Sequence, residues 1–203
     1  MEQAAAAMVD LSFALRGRTL PRDHRLLLAR ALAEELPALG DDPRVAVMPV
    51  KLVSGDADPA LLSARSRLVV RVPRGRAAEL QALAGRTLRV GDSLLTLGEA
   101  QPRELLPHAT LYAHFVDAGD ADEGGFLDAI DRQLAALSVP CHPVCGREQR
   151  VQGPAQPLHG YSLMLHGLRA RDSLRMLELG LGEHRLMGCG VFVPHKSAAA
   201  VGD

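Results

Sequence analysis

The sequence predicts an α+β fold made of two ferredoxin-like βαββαβ domains in tandem, with a C-terminal glycine-rich loop before the last strand. Three observations predict it. The order strand, helix, strand, strand, helix, strand is readable twice along 203 residues. Apolar periodicity switches between two and about 3.6 at each step. Runs rich in Gly, Pro and Asp mark the joins. The expected domains are residues 1–105 and 106–203, sharing an element order but no convincing residue-level repeat.

The first strand is VDLSFALRG, where Val9, Leu11, Phe13 and Leu15 alternate with polar or small residues. TLPRDHRLLLARALAEELPALG predicts a helix with Pro21 in its first turn, a stripe of Leu28, Leu32, Leu36 and Leu39, and Gly40 at its end. RVAVMPVKLVSG and SRLVVRVP read as strands across a loop of Asp, Gly and Pro. RGRAAELQALAG predicts a short helix closed by Gly85, and TLRVGDSLLTLGEA a strand or hairpin.

QPRELLPHA, with two prolines, reads as a connector before the order starts again. TLYAHFVDAG predicts a strand, and GGFLDAIDRQLAALS a helix with Phe126, Ile130, Leu134 and Leu137 on one face. REQRVQG and LHGYSLMLHGL pair as a hairpin across GPAQP. RARDSLRMLELGLG predicts a helix with a Leu174, Leu177 and Leu181 stripe, RLMGCGVFVP the last strand, and HKSAAAVGD a frayed tail.

Composition sets limits on function. Net charge is −1, so polyanion binding depends on local patches rather than a global field. Three cysteines suit a reducing compartment better than a disulfide framework. MEQAAAAMVD lacks the basic and apolar regions of a secretory signal, and no apolar run approaches membrane-spanning length. A cytoplasmic location without membrane contact is expected. Cys141, His142 and Cys145 lie close together in CHPVC, but no second Cys/His pair follows at a structural-zinc spacing. No metal and no cofactor are expected.

GLGEHRLMGCGVFVP concentrates glycines after a helix and before a strand. That order is the reverse of a Walker or Rossmann loop, and the Lys-Ser/Thr pair is missing. Two readings remain open: glycines that let the last strand pack tightly, or a nest of backbone N–H groups around Arg185 that holds phosphate. Upstream, ARSRLVVRVPRGR is the most basic segment. Period two puts Leu68, Val70 and Val72 on one side and Arg65, Arg67 and Arg71 on the other. Such a face suits RNA backbone contact, or it guards a strand edge against aggregation. The acidic DAGDADEG would repel RNA.

Gly180-Leu181-Gly182, five residues, then Gly188-Cys189-Gly190 and an apolar strand resembles the C-terminal loop of the RAMP superfamily, the repeat-associated RNA-binding proteins of CRISPR systems. Together with VDLSFALRG, TLPRDH, ATLYAHFV and EHRLMGCGVFVP, it resembles the compact "Cas six" endoribonucleases over nearly the whole chain. The resemblance implies metal-independent cleavage of CRISPR precursor RNA within its repeats, leaving a 2′,3′-cyclic phosphate and a 5′-hydroxyl. It also implies retention of the mature crRNA and contact with other effector-complex subunits. A repeat stem-loop is the expected RNA form, since only two Tyr and four Phe are available for stacking.

Such cleavage uses the ribose 2′-OH as nucleophile, and imidazole suits the proton transfer. Among eight histidines, His24 is the first candidate. It falls in the first turn of the first helix, one turn before Leu28, where the helix dipole favours a neutral ring. The resemblance also implies a catalytic histidine in this helix. His184 is the rival, within the glycine stretch. The expected RNA contacts are Gly182, His184, Arg185, Gly188, Gly190, Arg65, Arg67, Arg71 and Lys196. His114 and His166 are expected to be structural. Two other functions stay open: a non-catalytic RNA-binding subunit of the same superfamily, and a ferredoxin-like module for a metabolite or protein.

Overall fold

The computed structural model describes residues 6–195, so Lys196 and the rest of the expected tail lie outside the described residues. The chain divides into two compact units. One comprises the chain through Leu105 together with Gln152–Gln156 and Arg185–Gly188, and the other Leu106–Val151, Pro157–His184 and the chain from Cys189.

In the first unit the elements are β1 (Met8–Arg16), β2 (Thr19–Leu20), α1 (Arg25–Glu35), β3 (Ala46–Val47), β4 (Ala60–Leu61), β5 (Arg67–Pro73), α2 (Ala77–Gln81), β6 (Thr87–Val90) and β7 (Ser93–Glu104). The main sheet has the order β3-β5-β1-β7-β6, and β2 pairs separately with β4. Removing the β6 hairpin leaves the ferredoxin-like arrangement, with the first strand between the third and the fourth. The alternation of β1 is realised directly: Val9, Leu11, Phe13 and Leu15 are buried in one core with Leu68, Val70 and Val72 of β5. Leu28 and Leu32 of α1 close that core. A single buried leucine stabilises by about 1.5–3 kcal/mol.

Three expectations about this unit are corrected. Pro21 does not enter α1, which starts at Arg25 with His24 as its N-cap residue. The helix does not run to Gly40: it stops at Glu35 because Pro37 cannot continue it, and Pro37–Asp41 form a 3₁₀ turn that buries Leu39. QPRE is not a connector: β7 runs on to Glu104 along β1, with Leu11 opposite Pro102. Proline is tolerated there because β6 reaches only to Thr96, so β7 has β1 alone beside it.

The second unit comprises β8 (Thr110–Asp117), α3 (Glu123–Ala136), β9 (His142–Val151), β10 (Leu158–His166), α4 (Ala170–Leu179) and β11 (Phe192–Pro194). Its sheet, β11-β8-β10-β9, is wholly antiparallel and ferredoxin-like in order. Asp122 caps α3 by accepting from the Gly125 amide at 2.9 Å. Phe126, Ile130 and Leu134 point into the core as expected. On α4 the buried set is Asp172, Ser173, Met176 and Leu177; of the expected stripe Leu177 and Leu181 are buried, while Leu174 is only half-buried. His142 to Cys145 of CHPVC form the start of β9. The last strand is only three residues long, because Arg185–Met187 form a 3₁₀ turn.

Candidate functional site

The start of α1 is held by several side-chain hydrogen bonds. A turn at Pro21–His24 carries the chain from β2 into the helix and brings the His24 ring inside. His24 is 3% exposed. Its Nε2 accepts the Val50 amide N–H at 2.9 Å. Nδ1 therefore carries the ring hydrogen and donates to the carbonyls of Pro21 (2.9 Å) and Arg22 (3.1 Å). Burial lowers its pKa below 6.5, outweighing those carbonyl bonds, and the neighbouring Arg25 charge lowers it further. The ring is neutral at pH 7, with a fixed tautomer and its lone pair on Nε2. The ring is enclosed rather than open to solvent.

Cationic groups surround this histidine in the chain. Arg25 donates to the carbonyls of Met187 (3.4 Å) and Gly188 (3.3 Å), which brings the end of the glycine-rich stretch to the helix start. Arg22 Nε donates to the Ala57 carbonyl at 2.8 Å while its own amide donates to Asp58. Lys51, next to the Val50 amide that holds the imidazole, is exposed. The sequence analysis missed these three residues. The charges flanking the imidazole in PRDHR were the one available signal.

The glycines are packing glycines. Gly190 has φ +63°, and a Cβ there would lie 1.6 Å from the Leu181 carbonyl oxygen. Gly188 has φ +74°, and a Cβ would meet Pro49 Cδ at 2.7 Å and the Val47 oxygen at 2.8 Å. The backbone is not a free anion nest either. Leu181 and Gly190 donate to Gly190 and Phe115 carbonyls, Gly188 donates to Arg185, and Cys189 donates to His184. Gly182 is exposed, but its amide is held by Gln133 at 3.2 Å. The expected RNA contacts at Gly188 and Gly190 are thus corrected to buried positions that fix the course of the chain.

Arg185 is likewise buried. Its Nη2 donates to the Arg44 carbonyl at 3.0 Å, and desolvation, followed by the Arg71 charge, lowers its pKa to about 10. It stays cationic at pH 7 but does not face solvent as expected. Arg71 is 1% exposed, because strand pairing sets it opposite Asp10, and the two form an ion pair at 2.7 and 3.0 Å. It is removed from the expected arginine face. Arg65 and Arg67 are exposed, and Arg67 Nη1 donates to the Ala64 and Ser66 carbonyls.

In the second unit His184 adopts φ +59° and lies half-buried, with Nε2 3.7 Å from Asp117 Oδ2. Among the described residues no group of three or more His, Cys, Asp or Glu is placed to hold a metal ion. No helix among them is long and apolar enough to cross a membrane.

Comparison with known proteins gives this geometry a family. The family model described as Cas6 Crispr matches residues 9–197. The CRISPR-associated endonuclease Cas6 of Myxococcus xanthus (strain DK1622) is 37% identical over 194 residues, which cover 95% of this chain and 84% of that protein. Among solved structures, a CRISPR associated protein Cas6 superposes with a TM-score of 0.64 at 12% identity, covering 93% of this chain and 99% of the other. A RAMP protein described as binding different RNA substrates superposes at 0.58 and 10% identity, covering 91% and 98%. These two share the fold, and with the family match over residues 9–197 and the 37% identity to the curated endonuclease, the chain belongs to the Cas6 family.

Proposed function

We propose that this protein is a metal-independent endoribonuclease that cuts CRISPR precursor RNA within its repeats and retains the crRNA for an effector complex in the cytoplasm. The observation that carries this reading is the 37% identity, over 95% of the chain, to a CRISPR-associated endonuclease.

His24 is the proposed base. The Nδ1–H bonds to Pro21 and Arg22 leave Nε2 as the basic nitrogen, and burial keeps it unprotonated at neutral pH. In the reaction Nε2 exchanges the Val50 amide for the ribose 2′-OH and takes its proton. The 2′-oxygen attacks the adjacent phosphorus, the P–O5′ bond breaks, the 5′-oxygen takes a proton from water to become the 5′-hydroxyl, and a 2′,3′-cyclic phosphate remains. Arg25 and Lys51, the residues next to His24 and Val50 in the chain, supply positive charge for the crowded phosphorane. Arg65 and Arg67 hold the RNA backbone away from the cut.

The test is single-turnover cleavage of repeat RNA in excess EDTA. Wild type is expected to yield cyclic-phosphate ends, and a 2′-deoxy sugar at the cut is expected to abolish cleavage. His24→Ala is expected to bind without cutting. Binding without cleavage by both proteins would make the chain a non-catalytic RNA subunit. Absence of salt-dependent RNA binding would leave only the metabolite- or protein-binding module.

A further inference from the structure

The helix side of the β8–β11 sheet is filled: Leu111, Ala113, Phe115, Leu163, Leu165 and Phe192 are fully buried, and Phe126 of α3 packs on Tyr161 with ring centroids 5.0 Å apart. The opposite face has a different chemistry. One row across it reads Val144, Met164, Tyr112, Val193, and the next reads His142, His166, Thr110. Val144 is 45% exposed, His142 and His114 are exposed, and Tyr112, Met164 and His166 are half-buried. His114 and His166, expected from sequence to be structural, both stand on this face.

The rings are arranged as a platform. Tyr112 contacts His114 edge-on at 5.0 Å and His195 at 5.5 Å, while Thr110 Oγ1 lies 3.1 Å from His166 Nδ1. The two rows contain no carboxylate, so nothing in them repels a phosphodiester. They offer an aromatic ring, a polarisable thioether and imidazole N–H donors.

We propose that this face binds a single-stranded stretch of RNA, with one base stacked on Tyr112 against His114 and His195, and the strand running toward His142 and His166. A sheet face carrying a half-buried Tyr ring beside exposed imidazoles suits unstacked bases rather than a paired stem, whose bases are already stacked. This inference rests on the reading that the chain is an RNA enzyme, and it adds a binding surface remote in sequence from His24.

The test uses a fluorescein-labelled oligo(U) of about a dozen nucleotides, long enough for one platform, together with repeat RNA cleavage. Tyr112→Ala is expected to weaken oligo(U) binding about tenfold or more, and Tyr112→Phe to leave it near wild type. Ultraviolet cross-linking of oligo(U) to wild type is expected to label the peptide carrying Tyr112 and His114, which decides the matter if Tyr112→Ala does not fold. Unchanged binding by a folded Tyr112→Ala, or cross-links confined to other strands, overturns the proposal and leaves the face to a protein partner. Cleavage of repeat RNA by wild type in that case keeps the enzymatic reading intact, whereas no RNA binding of any kind defeats both.

Discussion

The Val50 amide donates to Nε2 of His24 at 2.9 Å, so the nitrogen proposed as the catalytic base is also the one that pins the chain after β3 to the start of α1. A single hydrogen bond thus ties a proton acceptor to a piece of architecture, and substitutions at His24 act on both.

His24→Ala is expected to abolish cleavage and to destabilise the protein by about 1–3 kcal/mol, because the Val50 N–H is left buried and unpaired. Paired measurement of cleavage and urea unfolding checks it. Full cleavage by the variant would remove His24 from the mechanism whatever its stability.

Acid should weaken the fold through the same ring. The pKa of His24 is lowered on folding, so the unfolded chain binds a proton first. The stabilisation is complete above pH 6.5 and is lost as pH falls from there through the folded value. Urea unfolding between pH 8 and pH 5 is expected to show this loss in wild type and a smaller one in His24→Gln. The acid limb of the pH–rate profile should lie below pH 6.5.

Glycine substitutions should rank by contact. Gly190→Ala combines positive φ with a clash against backbone and should cost well over about 2 kcal/mol. Gly188→Ala should follow, pressing on Pro49 and Val47. Gly182→Ala, whose nearest neighbour would be Val116 Cγ1 at 3.8 Å, should cost only about 1 kcal/mol from its backbone conformation. Thermal melting of the three variants gives the order.

The two kinds of arginine in ARSRLVVRVPRGR should separate experimentally. Arg67→Ala is expected to weaken RNA binding and reduce the log–log salt slope by about 1, with melting unchanged. Asp10→Ala, which removes the carboxylate paired with the buried Arg71, should cost about 3–5 kcal/mol. Salt titrations by filter binding, alongside melting curves, distinguish them.

Much of this was legible in the sequence because periodicity is a local signal. The alternation in β1 and β5 and the i, i+4 spacing on α3 directly named core residues such as Phe13, Val70 and Ile130. Arg71 was misassigned because its fate depends on a partner, Asp10, 61 positions away, and alternation alone cannot tell an open face from a paired one. Arg185 and Gly188 were misplaced for the same reason: Arg44 and Pro49, which receive them, carry no sequence mark of that role. The position of His24 at the start of α1 was legible, but its enclosure by Val50 was not.

Residues Gln152–Gln156 and Arg185–Gly188 belong to the first unit although the second is threaded between and around them. On a translating ribosome the amino-terminal half cannot therefore finish its own structure when its last strand emerges; it must wait until nearly the whole polypeptide has been made. Fragments cut near residue 105 should then be poor stand-ins for either half, and complementation would require the second piece to supply Gln152–Gln156 and Arg185–Gly188 to the first.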